Sequence, residues 1–333
     1  MCAKSASRPR AFAEALQRLR DARSILAVTH ARPDGDGLGC LAALTRSARA
    51  AGKTAWMVCP DAVPTRYQFL FAEDRPAYAD QFASLAAGAE AIVILDACAF
   101  AQLDGLDKTL RALRDRIVVL DHHATGDDVG AVQWVDPSAA ATGVMVGELL
   151  EALGWPVDAV GAEALAAAVV SDTGWLAFAN TDARCLKALE LALSRGLRMD
   201  RLYRKLYQSD RPERLRLMTR MLESLEMHCR GRLAVMAIRL ADFQQTGAEP
   251  SETENLVNEA LRIGQVETVA LLVENDNFIR ASLRSRDEVD VAKVARRFGG
   301  GGHVRAAGFR ATGELDAIKR QVIEACTREL TRP

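Results

Sequence analysis

Ile117-Val118-Val119-Leu120-Asp121-His122-His123 is the stretch from which the fold can be read. Four apolar residues, three of them β-branched, make a short buried strand. The run then stops at a carboxylate followed by two imidazoles. A packed core has no use for that trio, whereas a metal ion or a phosphate does. Two more strand-like runs stop in the same way. Ser24 to Thr29 leads into His30, Asp34 and Asp36, and Ala91 to Leu95 leads into Asp96.

Working outward, helices are expected between these strands. The loop Ala31-Arg32-Pro33-Asp34-Gly35-Asp36-Gly37 opens a helix near Leu38. Its glycines are expected to turn the backbone sharply and bring Asp34 and Asp36 to one place. A further strand is read at Thr54 to Cys59, an irregular aromatic stretch over 64–83, and a helix around Lys108 to Asp115. Strand and helix alternate, so an α/β fold with a mostly parallel sheet flanked by helices is predicted. In such sheets ligands gather beyond the carboxyl ends of the strands. Ser7 and Pro9 fit a helix start, with Phe12, Leu16 and Leu19 on one face. Trp134 to Asp136 reads as an edge strand. Pro137 then opens an Ala-rich helical region reaching about Gly196, broken at Asp172 with Gly174 as the stop.

Gly196 to about Arg220 is basic and helical in pattern, and Met199 to Gln208 reads as a connector. The expected domains are 1–196, a helical linker 197–212, and 213–333. The second is a smaller α/β domain with a mixed sheet. Its elements are a strand in Gly231 to Leu240 and a helix from Ser251 to Ile263, with Ser251 and Glu254 as a capping box. A hairpin follows around Asn275-Asp276, then a helix from Val291 to Phe298 and the quartet Gly299 to Gly302 before His303. A strand at Ala307 to Ala311 and an amphipathic helix from Glu314 to Leu330 close the chain.

Composition narrows the function classes. The 333 residues carry a net charge of -1, so no global basic field exists to collect long nucleic acid, and no long duplex partner is expected. The seven cysteines are scattered with no CxxC pair, which argues against a disulfide framework or zinc ribbon and for a reducing cytoplasm. No apolar stretch reaches the length of a membrane span. The arginines between Arg195 and Arg220 are expected on the solvated face of an amphipathic helix.

Taken singly, Asp34, Asp36 or Asp96 could cap a helix. Jointly the pattern says more. His30, Asp34, Asp36, Asp96, Asp121, His122, His123 and Asp172 all fall at element ends that one sheet would bring together. Bunched carboxylates repel unless cations neutralise them. Carboxylates and imidazoles without thiolates suit Mn²⁺, Mg²⁺, Fe²⁺ or Co²⁺. The acidic ligands are too many for one ion and suit a pair bridged by one carboxylate, an arrangement that activates water for phosphoryl displacement.

His30-x-x-x-Asp34-x-Asp36, Asp96, Asp121-His122-His123 and Asp172 resemble the four signature motifs of the DHH phosphoesterase superfamily. Gly299 to His303, followed by Ala306-Ala307-Gly308-Phe309, resembles the glycine-rich motif of the DHH-associated C-terminal domain. In length and domain pairing the chain is most similar to the bacterial nano-RNase group, some members of which also dephosphorylate 3′-phosphoadenosine 5′-phosphate or open cyclic dinucleotides. The resemblance implies that His30 and Asp34 hold a first metal, that Asp36, His122 and Asp172 hold a second, and that Asp96 bridges them. It implies Mn²⁺ as the metal. It makes Asp121 the residue that orients His122, and His123 a contact to the scissile phosphate or a proton donor to the leaving group. In the second domain it implies that Arg284, Gly301, Gly302 and His303 bind a substrate phosphate. Arg286 and Arg305 are expected to be solvated. A glycine commonly follows the glutamate equivalent to Glu254 in this family, whereas here Asn255 stands there.

The expected function is hydrolysis of short oligoribonucleotides to nucleoside 5′-monophosphates in a cleft between the domains, with homodimers common among relatives. The rival enzyme is a manganese inorganic pyrophosphatase, whose C-terminal motifs lack the glycine-rich histidine loop. A nucleotide-sensing module is the non-enzymatic rival.

Overall fold

The computed structural model describes residues 10–331 apart from 73, 125, 287 and 288; the helix start expected at Ser7 and Pro9 lies outside the described residues. It divides into two compact units that meet between Ser209 and Asp210.

The first unit is an α/β sandwich. In chain order its elements are α1 (Arg10–Asp21), β1 (Ser24–Thr29), α2 (Gly35–Ala50), β2 (Thr54–Val58), α3 (Ala79–Gly88), β3 (Ala91–Leu95), α4 (Asp107–Ala112), β4 (Ile117–Asp121), β5 (Val132–Val135), α5 (Thr142–Leu153), α6 (Ala159–Asp172), α7 (Ala183–Ser194) and α8 (Met199–Tyr207). The five strands lie in the order β2-β1-β3-β4-β5, every pair parallel. Both faces are covered, so the strands read as unbroken apolar runs. Ile25 and Ala27 face the core shared with α2, α5 and α6, while Leu26 and Val28 face the one shared with α3 and α4. Phe12 of α1 meets Trp134 of β5 edge-on at 4.8 Å. The order in which strands are added switches sides of β1, to β2 on one side and to β3 on the other, and at such a switch point between parallel strands their ends open a crevice. The irregular stretch expected over 64–83 is instead a 3₁₀ turn at Thr65–Phe71 and the first residues of α3. Of the helix expected around Lys108 to Asp115, only Asp107–Ala112 is α-helical, with a 3₁₀ turn after it.

The segment read as a connector is α8, whose Leu202 and Leu206 are buried in the first unit's core. Several basic side chains of the stretch around it are paired. Arg198 bonds Asp200, Lys205 bonds Glu163, and farther on Arg214 bonds Asp210 and Arg220 bonds Glu223.

The second unit contains α9 (Pro212–Glu223), β6 (Glu226–His228), β7 (Leu233–Ile238), α10 (Leu240–Thr246), β8 (Thr268–Glu274), β9 (Ile279–Ser285), α11 (Val291–Arg297), β10 (Gly301–His303), β11 (Ala306–Ala311) and α12 (Leu315–Leu330). Its sheet runs β10-β11-β9-β8-β7-β6 and is mixed, β7 and β8 being the parallel pair. The hairpin read around Asn275-Asp276 is present as β8 and β9.

Two expectations fail here. The helix expected over Ser251 to Ile263 is two 3₁₀ turns, Pro250–Thr253 and Leu256–Arg262, with Asn255 at φ 62° between them. A left-handed residue cannot continue an α-helix, so Ser251 caps nothing. Asn is the residue that best tolerates this conformation after Gly, which explains why Asn255 can stand where the family commonly has glycine. Arg286, expected in solvent, donates to the carbonyls of Leu261 and Gly264 and ties this segment down. Asn255→Ala is expected to destabilise the chain by about 1 kcal/mol and Asn255→Gly to leave it near neutral. Urea unfolding of both variants checks this, and equal stability of the two contradicts the left-handed requirement.

Candidate metal centre

The first element of the centre is the β1 end. Thr29 closes the strand and His30 follows, its Nδ1 2.9 Å from the Ala31 carbonyl oxygen. A proton on Nδ1 makes that a hydrogen bond and turns Nε2 toward carboxylates, 3.6 Å from Asp34 Oδ1 and 3.4 Å from Asp96 Oδ2. Asp34 is the N-cap of α2, and its Oδ1 accepts from the backbone of Asp36 and Gly37, both at 3.1 Å. Gly35 and Gly37 already lie in the helix and neither has positive φ. Their expected role as a sharp turn is therefore corrected to one of space. A Cβ on Gly37 would stand 2.3 Å from Thr29 Oγ1, and one on Gly35 would stand 2.0 Å from Ser171 Oγ. Without side chains, α2 can pack against both the β1 end and α6.

Asp36 is fully buried. Its Oδ2 accepts from Thr142 N at 2.6 Å and its Oδ1 from Gly143 N at 2.8 Å, so its carboxylate sits on the first turn of α5. Cys40 Sγ lies 3.4 Å from the same Oδ1. Asp96, just past β3, has φ 60° and is 2% exposed. Thr142 Oγ1 donates to its Oδ1 at 3.0 Å. That oxygen is also 3.6 Å from His122 Nε2 and 3.7 Å from His123 Nδ1, while Oδ2 faces His30. Asp96 therefore stands between the two histidine groups.

His122 Nδ1 lies 3.2 Å from the Ala139 carbonyl oxygen. Its Nε2 is 3.2 Å from Asp172 Oδ2 and 4.0 Å from Asp36 Oδ2. Asp121, expected to orient His122, does not. Its Oδ1 lies 2.7 Å from His123 Nδ1 and accepts from His123 N at 3.2 Å. The strand's alternation points Asp121 away from His122 and back under His123, and the Ala139 carbonyl takes over the orienting task.

His30, Asp34 and Asp96 form one group able to hold a metal ion; Asp36, His122 and Asp172 form another, with ligand atoms within 4.8 Å of one another in each. Asp96, Asp121 and His123 make a third such group beside them. The donor set is oxygen and imidazole nitrogen, the chemistry of a divalent cation. Charge balance points the same way. Burial and the neighbouring Asp96 and Asp172 carboxylates hold Asp36 well above the usual carboxylate range. Asp172 is pushed up to about 6 by burial, with Asp34 and Asp96 adding to it against the pull of His122. Burial would lower His122, yet Asp172, Asp36 and Asp96 carry it up to about 10. His30 is raised likewise by Asp34 and Asp96 against burial. Without cations, then, the cluster holds protons that a cation would displace.

Thr142 and Gly143 were not singled out from sequence. The available signal was a small-residue pair at a helix start, whose free N–H groups suit an anion.

In the second unit, the register aligns Arg284 with Ala306 on β11, and Ala306 with His303 on β10. Directly opposed residues in antiparallel pairs share a face, so Arg284 and His303 lie on one side of the sheet, two strands apart. Ser282, Gly308 and Gly301 align the same way one step along. The glycine quartet is therefore partly strand. Gly302 has φ 134°, and a Cβ there would meet the Ala306 carbonyl oxygen at 2.5 Å, so only glycine fits.

The DHH family, N-terminal domain, matches residues 24–183, and the DHHA1 domain matches residues 231–328. A curated relative from Thermus thermophilus, the bifunctional oligoribonuclease and PAP phosphatase NrnA, is 32% identical over 310 residues, which is 92% of this chain and 90% of the relative. The protein of that name from Bacillus subtilis is 27% identical over 86% of this chain and 88% of its own. Among solved structures, an exopolyphosphatase-related protein from Bacteroides fragilis superposes with a TM-score of 0.90 at 25% identity, covering 97% of this chain and 98% of its own.

A stability prediction follows from the raised histidines. The proton on His122 stabilises the metal-free fold fully below pH 6.5, and that contribution is lost as pH rises through about 10. The metal-free protein should melt at progressively lower temperature from pH 7 to pH 10. Divalent cations bind better as the ligands deprotonate, so the gain in Tm on adding them should widen over that range. A gain independent of pH contradicts the coupling.

Proposed function

The chain belongs to the DHH family and carries a DHHA1 domain, and on that premise we propose that it is a two-metal phosphodiesterase of short oligoribonucleotides. Dinucleotides would be cut to nucleoside 5′-monophosphates, and the 3′-phosphate of 3′-phosphoadenosine 5′-phosphate would be removed at the same centre. The observation that carries this reading is Asp96, buried between two complete acid–imidazole ligand groups. The names of the curated relatives at 32% and 27% identity agree with it.

In this reading His30 and Asp34 hold one ion, Asp36, His122 and Asp172 hold the other, and Asp96 is shared. The oxygen-rich donor set favours Mn²⁺, with thiols absent from the ligands. Such ions supply a water nucleophile at neutral pH and a clamp on the phosphoryl oxygens. The chain's own residues do the rest. Asp36 is fixed by two backbone N–H groups, so its ligand geometry is set before substrate arrives. His123 keeps Nδ1 on Asp121, which would leave Nε2 to carry the transferable proton. Burial opposes a charged His123, but Asp121 and Asp96 raise its pKa, which suits a general acid. Its Nε2 proton passes to the 3′-oxygen as the P–O3′ bond breaks, leaving the phosphate on the 5′-carbon of the product.

Arg284, His303, Gly301 and Gly302 are proposed to hold a second phosphate of the substrate. The arginine carries a fork of donors, one of which also reaches the Leu283 carbonyl at 3.0 Å, and the glycines lie on β10 at the sheet edge, where alternate backbone N–H groups point away from β11. Such a grip would favour substrates that carry a second phosphate. Among the described residues no disulfide joins the cysteines, as a reducing cytoplasm would leave them. Among the described residues no helix is long and apolar enough to cross a membrane.

Asp96→Ala and His122→Ala should each cut dinucleotide hydrolysis with Mn²⁺ by at least about a thousandfold, since either removes an essential ligand. Arg284→Ala should raise KM by roughly ten- to a hundredfold with little change in kcat. Near wild-type turnover in the first two variants overturns the metal centre. An unchanged KM in the third overturns the phosphate grip.

A further inference from the structure

The helix that carries Asp172 ends in a backbone conformation that bulky residues avoid. Gly174, Trp175 and Leu176 have φ of 54°, 58° and 67°. Such a run persists only where its surroundings over-determine it, and it points to a use. Thr173 provides the fixing. Its Oγ1 donates to the Val169 carbonyl at 2.7 Å and accepts from Leu176 N at 3.2 Å. Trp175 N donates to the Val170 carbonyl at 2.8 Å, and Asn180 Nδ2 donates to the carbonyls of Asp172 and Ala140, both at 3.1 Å.

The turn sets Trp175 against α8. Its ring centroid lies 5.0 Å from Tyr203 and 5.7 Å from Tyr207, edge-on to both, and the two tyrosines stack at 5.1 Å. Half of the chain's four tyrosines and one of its four tryptophans meet here. The group is not sealed in the core: Tyr203 is 38% exposed and Trp175 is half-buried. Trp175 is the third residue after Asp172, so their Cα atoms are within about 11 Å. An open aromatic surface is thus fastened to the same helix end as a proposed metal ligand.

We infer that Trp175 and Tyr203, backed by Tyr207, form a stacking platform for the nucleobase of the nucleotide whose phosphate is handled at Asp172. This rests on the phosphodiesterase reading and deepens it by saying where the base goes. Stacking on an aromatic face accepts every base, because each has a π-face. The enzyme would therefore be indifferent to base identity while requiring that a base be present. Ribose phosphates without a base would lose the contact.

The test uses the full chain loaded with Mn²⁺ and calorimetric titration with adenosine 5′-monophosphate and with ribose 5-phosphate. The wild type should prefer the nucleotide by roughly 5- to 150-fold, the fold-change that base–aromatic stacking carries. Tyr203→Ala should remove most of that preference and leave ribose 5-phosphate binding unchanged, and Tyr203→Phe should keep it. A wild type without the preference, an alanine variant that retains it, or one that weakens both ligands alike overturns the platform. Dinucleotide hydrolysis by the wild type is read separately. Its absence would sink the phosphodiesterase reading, whereas the platform is judged on the base-dependent difference alone.

Discussion

Three carboxylates converge on one imidazole nitrogen, and the first unit is built around that constraint. Asp36, Asp96 and Asp172 all approach the same His122 Nε2, at 4.0, 3.6 and 3.2 Å. Two like charges about 4 Å apart repel by about 4 kcal/mol in a partly screened site. A helix N-terminus returns about 2 kcal/mol at best. The α5 amides that hold Asp36 therefore position it without neutralising it. Bound protons or divalent cations must supply the rest, and the upward shifts of Asp36, Asp172, His30 and His122 are the sign of that demand.

The fold meets the demand by geometry at strand ends. A parallel sheet sends β1, β3 and β4 toward the same edge, and the switch of sides at β1 opens the crevice there. Glycine lets α2 approach until Asp34 and Asp36 reach that edge. Asp96 takes a left-handed φ at a cost of about 1 to 2 kcal/mol, and hydrogen bonds from its own amide to the Leu120 carbonyl and from Thr142 to its side chain hold it there. Strain of that kind is tolerated where the surroundings over-determine it.

Much of this was legible in the chain itself. Apolar runs such as 117–120, stopped by acidic and imidazole residues, announce buried parallel strands with a site at their ends. The spacing of His30, Asp34 and Asp36 survives folding because strand end, loop and helix start are contiguous. What depended on distant partners was not legible. Asp121 serves His123 rather than His122 because the Ala139 carbonyl, 17 residues away, already occupies His122. Thr142 and Gly143 matter through a carboxylate more than a hundred residues earlier. The stretch 251–263 has the composition of a helix, but Asn255 turns left-handed and Arg286, from the strand side, fixes the result. The glycine quartet reads as a turn until β11 pairs with it.

The central claim is that two cations, shared through Asp96, make this cluster stable and active. Titration of the metal-stripped full chain with Mn²⁺, read as bound metal per chain, tests it most directly. Two ions per chain, with protons released into the buffer, is the expected result, and Asp96→Asn should weaken both. One ion, none, or two that bind without proton release and ignore Asp96 would contradict it.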